Sequence, residues 1–106
     1  MEKRRFERFE VQLPLSFSGK EIAGGGLVTG LSQKGCTVLS DEAVRPNTFL
    51  ALHLQLPEQY MPLRVEVAEV RWAGASSFGL EFRHLRAEEQ ERLQRFMTWL
   101  ETTQNN

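Results

Sequence analysis

The sequence predicts an all-β domain with a C-terminal helix, folded as a small six-stranded antiparallel β-barrel. Three observations lead to this prediction. Apolar and polar residues alternate in several separate segments, as they do in half-buried strands. Turn-forming residues divide these segments from one another. Only the end of the chain changes to the spacing of an amphipathic helix, and one helix after a set of short strands is typical of a barrel with a helix packed on it.

The first strand is predicted over 9–17, where every second residue is apolar. Pro14 lies inside this segment and has no backbone N–H to donate, so one side of the strand is predicted to lie at an edge. The segment 18–26 contains three consecutive glycines and is predicted to be a loop.

Five further strands are predicted, over 27–31, 36–39, 50–56, 63–72 and 78–82. In the fourth of these the alternation slips by one residue near Val67. A slip of this kind predicts a β-bulge, which bends a strand around a closing barrel.

The helix is predicted over 87–102. Its apolar residues follow the i, i+3, i+4, i+7 pattern of a single buried stripe, formed by Leu93, Phe96, Met97 and Leu100. We therefore divide a single domain, 1–106, into a flexible arginine-rich arm (1–8), the barrel (9–83) and this helix.

Composition excludes several classes of protein. The chain has 106 residues, with 13 Lys and Arg against 14 Asp and Glu, which gives a net charge of −1 and no general attraction to duplex nucleic acid or anionic lipid. The single cysteine excludes an internal disulfide and a multi-cysteine zinc site. No apolar run approaches the roughly 20 residues of a membrane span. We expect a cytoplasmic domain without membrane insertion.

A catalytic site finds almost no support in the sequence. A Ser-His-Asp triad would have to use Asp41, the one aspartate, with His53 or His84. The two histidines and Cys36 are too far apart in sequence to suggest a metal site, and Cys36 is predicted to be a small buried apolar residue. We expect no enzyme activity, no catalytic or metal-binding residues and no cofactor.

Two features suggest ligand binding instead. The arm carries Arg4, Arg5 and Arg8 directly before the first strand, and a guanidinium fork matches phosphate oxygens or the edge of guanine. The second feature is the turn 30–35, in which glycines flank a serine and a lysine. Taken separately, each feature also has an ordinary explanation. The arm is equally well explained as a charged segment that aids solubility, and the turn as a simple connection between two strands.

Together these features resemble the PilZ family of cyclic di-GMP receptors. The arm, 4–8, has the Arg-x-x-x-Arg pattern, and the turn, 32–35, has the Ser-x-x-Gly pattern. The likeness continues through 70–72 (Val-Arg-Trp), through 78–82 (Phe-Gly-Leu-Glu-Phe) and into a helix that begins near Ala87.

The resemblance implies a receptor for cyclic di-GMP, a bacterial second messenger, that signals to an unidentified protein partner in motility or biofilm control. Arg4 and Arg8 would clamp guanine edges and phosphates, and Arg5 would be an auxiliary donor. Ser32 would bind a phosphate or a guanine edge, and Gly35 would let the backbone turn close to the ligand. Ordering of the arm on binding would be the switch.

The sequence departs from the family pattern at Gly30, where the family has an Asp or Asn that accepts hydrogen bonds from guanine. A lost hydrogen bond to a charged group costs about 1.5–3 kcal/mol, roughly ten- to a hundredfold in affinity. The alternative is therefore a PilZ-like interaction adaptor that does not bind cyclic di-GMP. An unrelated barrel that binds single-stranded nucleic acid is a third reading, disfavoured by the balanced charge. We expect the receptor.

Overall fold

The computed structural model describes residues 7–104. Its elements are β1 (Phe9–Ser18), β2 (Ala23–Leu31), β3 (Gly35–Leu39), β4 (Phe49–Leu54), β5 (Leu63–Ala73), β6 (Ser77–His84) and α1 (Ala87–Gln104). All neighbouring strands are antiparallel and close into a barrel in the order β1-β2-β3-β6-β5-β4. The predicted fold class is confirmed.

The alternating apolar residues of the strands face the inside of the barrel and form its core. Val28, Val38, Val65 and Val70 are completely buried there. Closing the sheet in this way pairs both edges and leaves every second residue outside, available for a surface site.

Pro14 does not mark an edge strand, because β1 pairs with β2 on one side and with β4 on the other. The pairing with β4 runs only as far as Leu15 opposite Leu54. Immediately beyond it, the carbonyl oxygen of Pro14 accepts a hydrogen bond from the amide of Gln55 at 2.9 Å. The missing N–H therefore falls where this pairing ends, so the proline interrupts no continuous ladder.

The prediction of a loop over 18–26 is wrong for its second half. β2 begins at Ala23, and the three glycines pair with Leu15, Ser16 and Phe17 of β1. A Cβ on Gly26 would overlap the carbonyl oxygen of Leu39 in β3. The glycine run thus allows close approach of neighbouring backbones within the sheet rather than a turn.

β5 contains the predicted irregularity and a second one that the sequence did not indicate. Its register against β6 shifts between Val67 and Ala68, as expected, and shifts again between Val70 and Trp72. Beside this second shift, Arg71 and Trp72 are both exposed although they are consecutive. Residues 71–76 are all exposed, so these two neighbouring side chains lie on the outer surface together, directly after the bulge.

The helix α1 packs against β5 and adds its apolar stripe to the barrel core, with all four predicted residues buried. It extends to Gln104, two residues beyond the predicted end, and Gln104 Nε2 donates to the carbonyl oxygen of Glu10 at 3.2 Å. Near its start, Glu89 accepts a hydrogen bond from the amide of Arg64 at 2.9 Å. Within residues 7–104, no helix combines the length and the apolar character needed to cross a membrane.

Candidate functional site

A surface pocket of about 280 Å³ lies on the outer face of the barrel, beside the start of β1 and the β2–β3 turn. We call it the arginine pocket, and its main polar and aromatic side chains are those of Arg8, Lys34, Thr37, Arg71, Trp72 and Glu81. Three of these six side chains are basic and one is acidic, so the pocket suits an anionic ligand.

The floor of the arginine pocket lies on a row of residues that crosses four strands; Gly30 in this row is covered by Arg8, and the other three residues line the pocket. Strand register places Gly30 beside Thr37, Thr37 beside Gly79, and Gly79 beside Trp72. The indole of Trp72 lies over Gly79, since a Cβ on that glycine would overlap the ring. Glycine at position 79 leaves room for the ring, and the outer face of the partly exposed indole is the flat surface open to a ligand.

Arg8 approaches this floor from the side opposite Trp72. Its NH1 atom donates to Thr37 Oγ1 at 3.4 Å, and a Cβ on Gly30 would lie 3.3 Å from the same NH1. Arg8 is exposed whereas Gly30 beneath it is buried. The guanidinium therefore lies across the glycine at the outer surface of the barrel.

Ser32 borders the pocket, but its hydroxyl serves the turn. Ser32 is only 4% exposed, and its Oγ accepts a hydrogen bond from the amide of Lys34 at 3.1 Å and donates to the carbonyl oxygen of Gly35 at 3.4 Å. The backbone amide of Ser32 also donates to that carbonyl oxygen, at 2.9 Å. These bonds fix the turn that positions the pocket edge.

Gly35 lines the pocket, and close packing of neighbouring strands explains why this position is glycine. A Cβ at this position would overlap the carbonyl oxygen of Leu80 in β6. Its φ is not positive, so an unusual backbone conformation is not the reason for glycine here. Gly35 is required for β3 and β6 to pair closely below the pocket.

The arm residues Arg4 and Arg5 lie outside the described residues, and their roles stay predictions. Of the other candidate residues, Arg8, Ser32 and Gly35 line one pocket, and Gly30 lies under Arg8.

Four side chains of the pocket were not selected from the sequence as ligand contacts: Thr37, Arg71, Trp72 and Glu81. Arg71 NH1 lies 2.6 Å from Glu81 Oε1, and Arg83 NH2 lies 2.8 Å from Glu69 Oε1. A carboxylate on one strand beside an arginine on the next is a cross-strand pair, which depends on register. The second bulge of β5 sets that register, and the apolar–polar alternation of the strand does not predict this bulge.

Cys36 lies behind the pocket wall and is 2% exposed. Burial raises the pKa of its thiol to about 12, and the positive charge of Arg8 acts in the opposite, smaller sense. The thiol is therefore neutral at physiological pH, in agreement with a small buried apolar residue. Both histidines are exposed, and among residues 7–104 no cluster of His, Cys, Asp and Glu has the arrangement of a metal site.

The sequence model of the PilZ domain matches residues 2–99. The chain belongs to the PilZ family. This family consists of cyclic di-GMP receptor and adaptor domains rather than enzymes. A search of curated proteins found no match.

Solved structures agree with this assignment at the level of the fold. The Bacillus subtilis inhibitor of motility MotI/DgrA superimposes with a TM-score of 0.79 at 20% identity, covering 100% of this chain and 55% of that one. This PilZ domain thus spans about half of the MotI/DgrA chain. The PilZ domain of CeSA from a cellulose-synthesizing bacterium gives 0.72 at 17% identity, covering 90% and 98%. An uncharacterised Legionella protein gives 0.63 at 20% identity, covering 95% and 100%.

Proposed function

We propose that this PilZ domain is a cyclic di-GMP receptor that binds its ligand in the arginine pocket. The observation that carries the proposal is the convergence of Arg8 and Trp72 on one glycine-lined floor from opposite sides. Cyclic di-GMP consists of two guanosine units whose ribose sugars are linked by two phosphates, so a site for it must offer both cationic donors and a flat surface for stacking.

The cationic donors come from both sides of the pocket. Arg8 at the start of β1 and Arg71 on β5 present guanidinium groups, each able to form paired hydrogen bonds with a phosphate. Arg4 and Arg5 would add further donors from the arm. On the far side, Trp72 is 46% exposed, and its free ring face can stack on a guanine.

The signal would pass from the pocket to the helix and to a protein partner. Gln33, in the turn that borders the pocket, donates a hydrogen bond to Gln94 of α1. At the other end of the helix, Gln104 bonds to the carbonyl oxygen of Glu10, two residues after Arg8. When the arm becomes ordered on the ligand, it alters both of these hydrogen-bonded contacts of the helix. The combined surface of arm and helix then recognises the partner.

The cellular role follows from the ligand. A second-messenger receptor operates where the messenger is made, so we place the domain in the cytoplasm. MotI/DgrA is described as an inhibitor of motility, and CeSA comes from a cellulose-synthesizing bacterium. Motility and biofilm formation are therefore the outputs that we propose to examine first.

An adaptor that ignores the nucleotide is the second candidate function, and Gly30 is the observation that favours it. The residue has no side chain to accept a hydrogen bond from guanine, and Arg8 covers it. In that case the exposed aromatic residues Tyr60 and Trp99 would serve protein contacts instead.

Titration calorimetry with cyclic di-GMP separates the two functions. A receptor gives binding heat with cyclic di-GMP and no measurable heat with linear GMP at the same concentration. An adaptor gives no binding heat with either nucleotide, and that result would remove the proposed function.

A further inference from the structure

Glu81 is the acidic side chain among the described residues that line the arginine pocket, and an acidic group is unexpected where phosphates are to bind. It lies on β6, two residues after Gly79, and its side chain is 34% exposed. Residues two apart on a strand project from the same face about 7 Å from each other. Glu81 therefore stands beside the part of the floor that Trp72 covers.

This placement matters for a base stacked on Trp72. The indole lies over Gly79, so a purine on its exposed face occupies the space above the middle of β6. The edge of that purine is then within the reach of the Glu81 side chain. The phosphates, by contrast, are drawn toward Arg8 and Arg71.

The carboxylate of Glu81 is held in place and still has acceptor capacity. Its Oε1 receives Arg71 NH1 at 2.6 Å, while Oε2 lies 3.7 Å from Arg83 NH1, beyond hydrogen-bond distance. Each carboxylate oxygen can accept about two hydrogen bonds. The two arginines therefore orient the group without using all of its lone pairs.

Guanine has the complementary chemistry. Its Watson–Crick edge presents two adjacent donors, N1–H and the N2 amino group, which match the two oxygens of a carboxylate. Adenine presents an acceptor at N1, which a carboxylate repels. We propose that Glu81 reads the guanine base, supplying from β6 an acceptor that position 30 lacks. This inference rests on the proposed receptor function.

Glu81 has a simpler possible role, which is to orient Arg71 toward a phosphate. That role would affect all cyclic dinucleotides equally, because their phosphates are the same. A base-reading role changes the preference between bases. The test therefore compares cyclic di-GMP with cyclic di-IMP, which retains N1–H and lacks the N2 amino group.

Three proteins are titrated with both nucleotides by calorimetry: the parent, Glu81→Gln and Glu66→Gln. Glu66 is the matched control, since it pairs with Arg86 on the barrel surface, does not line the pocket, and its replacement removes the same charge. We expect the parent and Glu66→Gln to prefer cyclic di-GMP by about tenfold or more. In Glu81→Gln the preference falls to within about threefold, because one carboxylate oxygen is replaced by an amide donor that faces the donors of guanine.

Glu81→Gln is nearly isosteric and partly exposed, and its thermal unfolding should match that of Glu66→Gln. An unchanged preference in a folded Glu81→Gln protein overturns the base-reading role and leaves the receptor function standing. Failure of the parent to bind either nucleotide overturns both.

Discussion

A Cβ atom on Gly30 would lie 3.3 Å from NH1 of Arg8, so the arginine side chain covers the face from which a side chain at position 30 would project. The other atoms nearest to that Cβ position are also Arg8 side-chain atoms, Cδ and Cγ. Gly30, where the sequence departs from the family pattern, and Arg8 of the arm therefore lie against each other. A residue with a side chain at position 30 must meet Arg8 directly.

Gly30→Asp should strengthen cyclic di-GMP binding by about tenfold. The new carboxylate would stand next to the Arg8 guanidinium and add an acceptor for guanine, a charge-assisted bond of about 1.5–3 kcal/mol less the cost of desolvation. The fold should tolerate it, because Gly30 does not have a positive φ and the nearest atoms belong to a flexible side chain. Calorimetric titration of both proteins measures the change.

Gly30→Ala is the matched control for that experiment. It introduces the Cβ without the carboxylate, so its affinity should equal that of the parent or fall slightly. A folded Gly30→Asp protein that binds no better than Gly30→Ala would show that the guanine edge does not face position 30.

Arg8→Ala should lower the affinity for cyclic di-GMP at least tenfold while leaving thermal unfolding unchanged. Arg8 is exposed, so its truncation leaves no cavity, and it loses hydrogen bonds from a charged donor to the ligand. Arg95→Ala removes an equally charged side chain, 70% exposed on α1, and should bind as the parent does. Affinities within twofold of each other for these two variants would contradict the role of the arm.

The candidate site illustrates which parts of the molecule a sequence can predict. Arg8 and the Ser32–Gly35 turn follow from local patterns, an arginine before a strand and a turn between two strands. Trp72 and Glu81 join the pocket through a register shift between Val70 and Trp72. Register depends on pairing between distant segments, and so this half of the pocket was missed.

The fold was predicted more completely than the site, because the alternation of apolar and polar residues and the helical spacing of apolar residues show directly which side chains are buried. The segment 24–26 shows where this fails. Glycine has no side chain to alternate, so the start of β2 carried no strand signal, although crowding at Gly26 against Leu39 explains the residue. The extension of α1 to Gln104 depends likewise on a tertiary contact, the hydrogen bond to Glu10.

Phe96→Ala should destabilise the domain by about 3–5 kcal/mol, because it removes a large side chain from the core. Phe96 is 9% exposed and stacks on Trp99 with ring centroids 5.7 Å apart. Trp99 is 52% exposed, so Trp99→Ala should cost less than half as much. Urea unfolding gives both values, and equal losses would mean that the helix does not bury Phe96 in the barrel core.

Ionisation of Cys36 should make stability fall at alkaline pH. Its pKa is raised by burial from 9.0 to about 12 in the folded protein. The stabilisation is fully present below about pH 9, where the unfolded thiol is neutral, and is lost as the pH rises toward 12. Between pH 9 and 11 the unfolding free energy of the parent should fall about 2 kcal/mol further than that of Cys36→Ala. Parallel pH profiles for the two proteins would show that the thiol is not buried.

The most direct test of the central claim is an amide chemical-shift map recorded while ¹⁵N-labelled protein is titrated with cyclic di-GMP. Binding in the arginine pocket predicts the largest changes at Thr37, Gly79 and the indole N–H of Trp72, with smaller changes at Gln94 of α1. The opposite side of the barrel, around His53 on β4, should be unaffected. An unperturbed spectrum at saturating nucleotide, or changes centred on β4, would contradict the account.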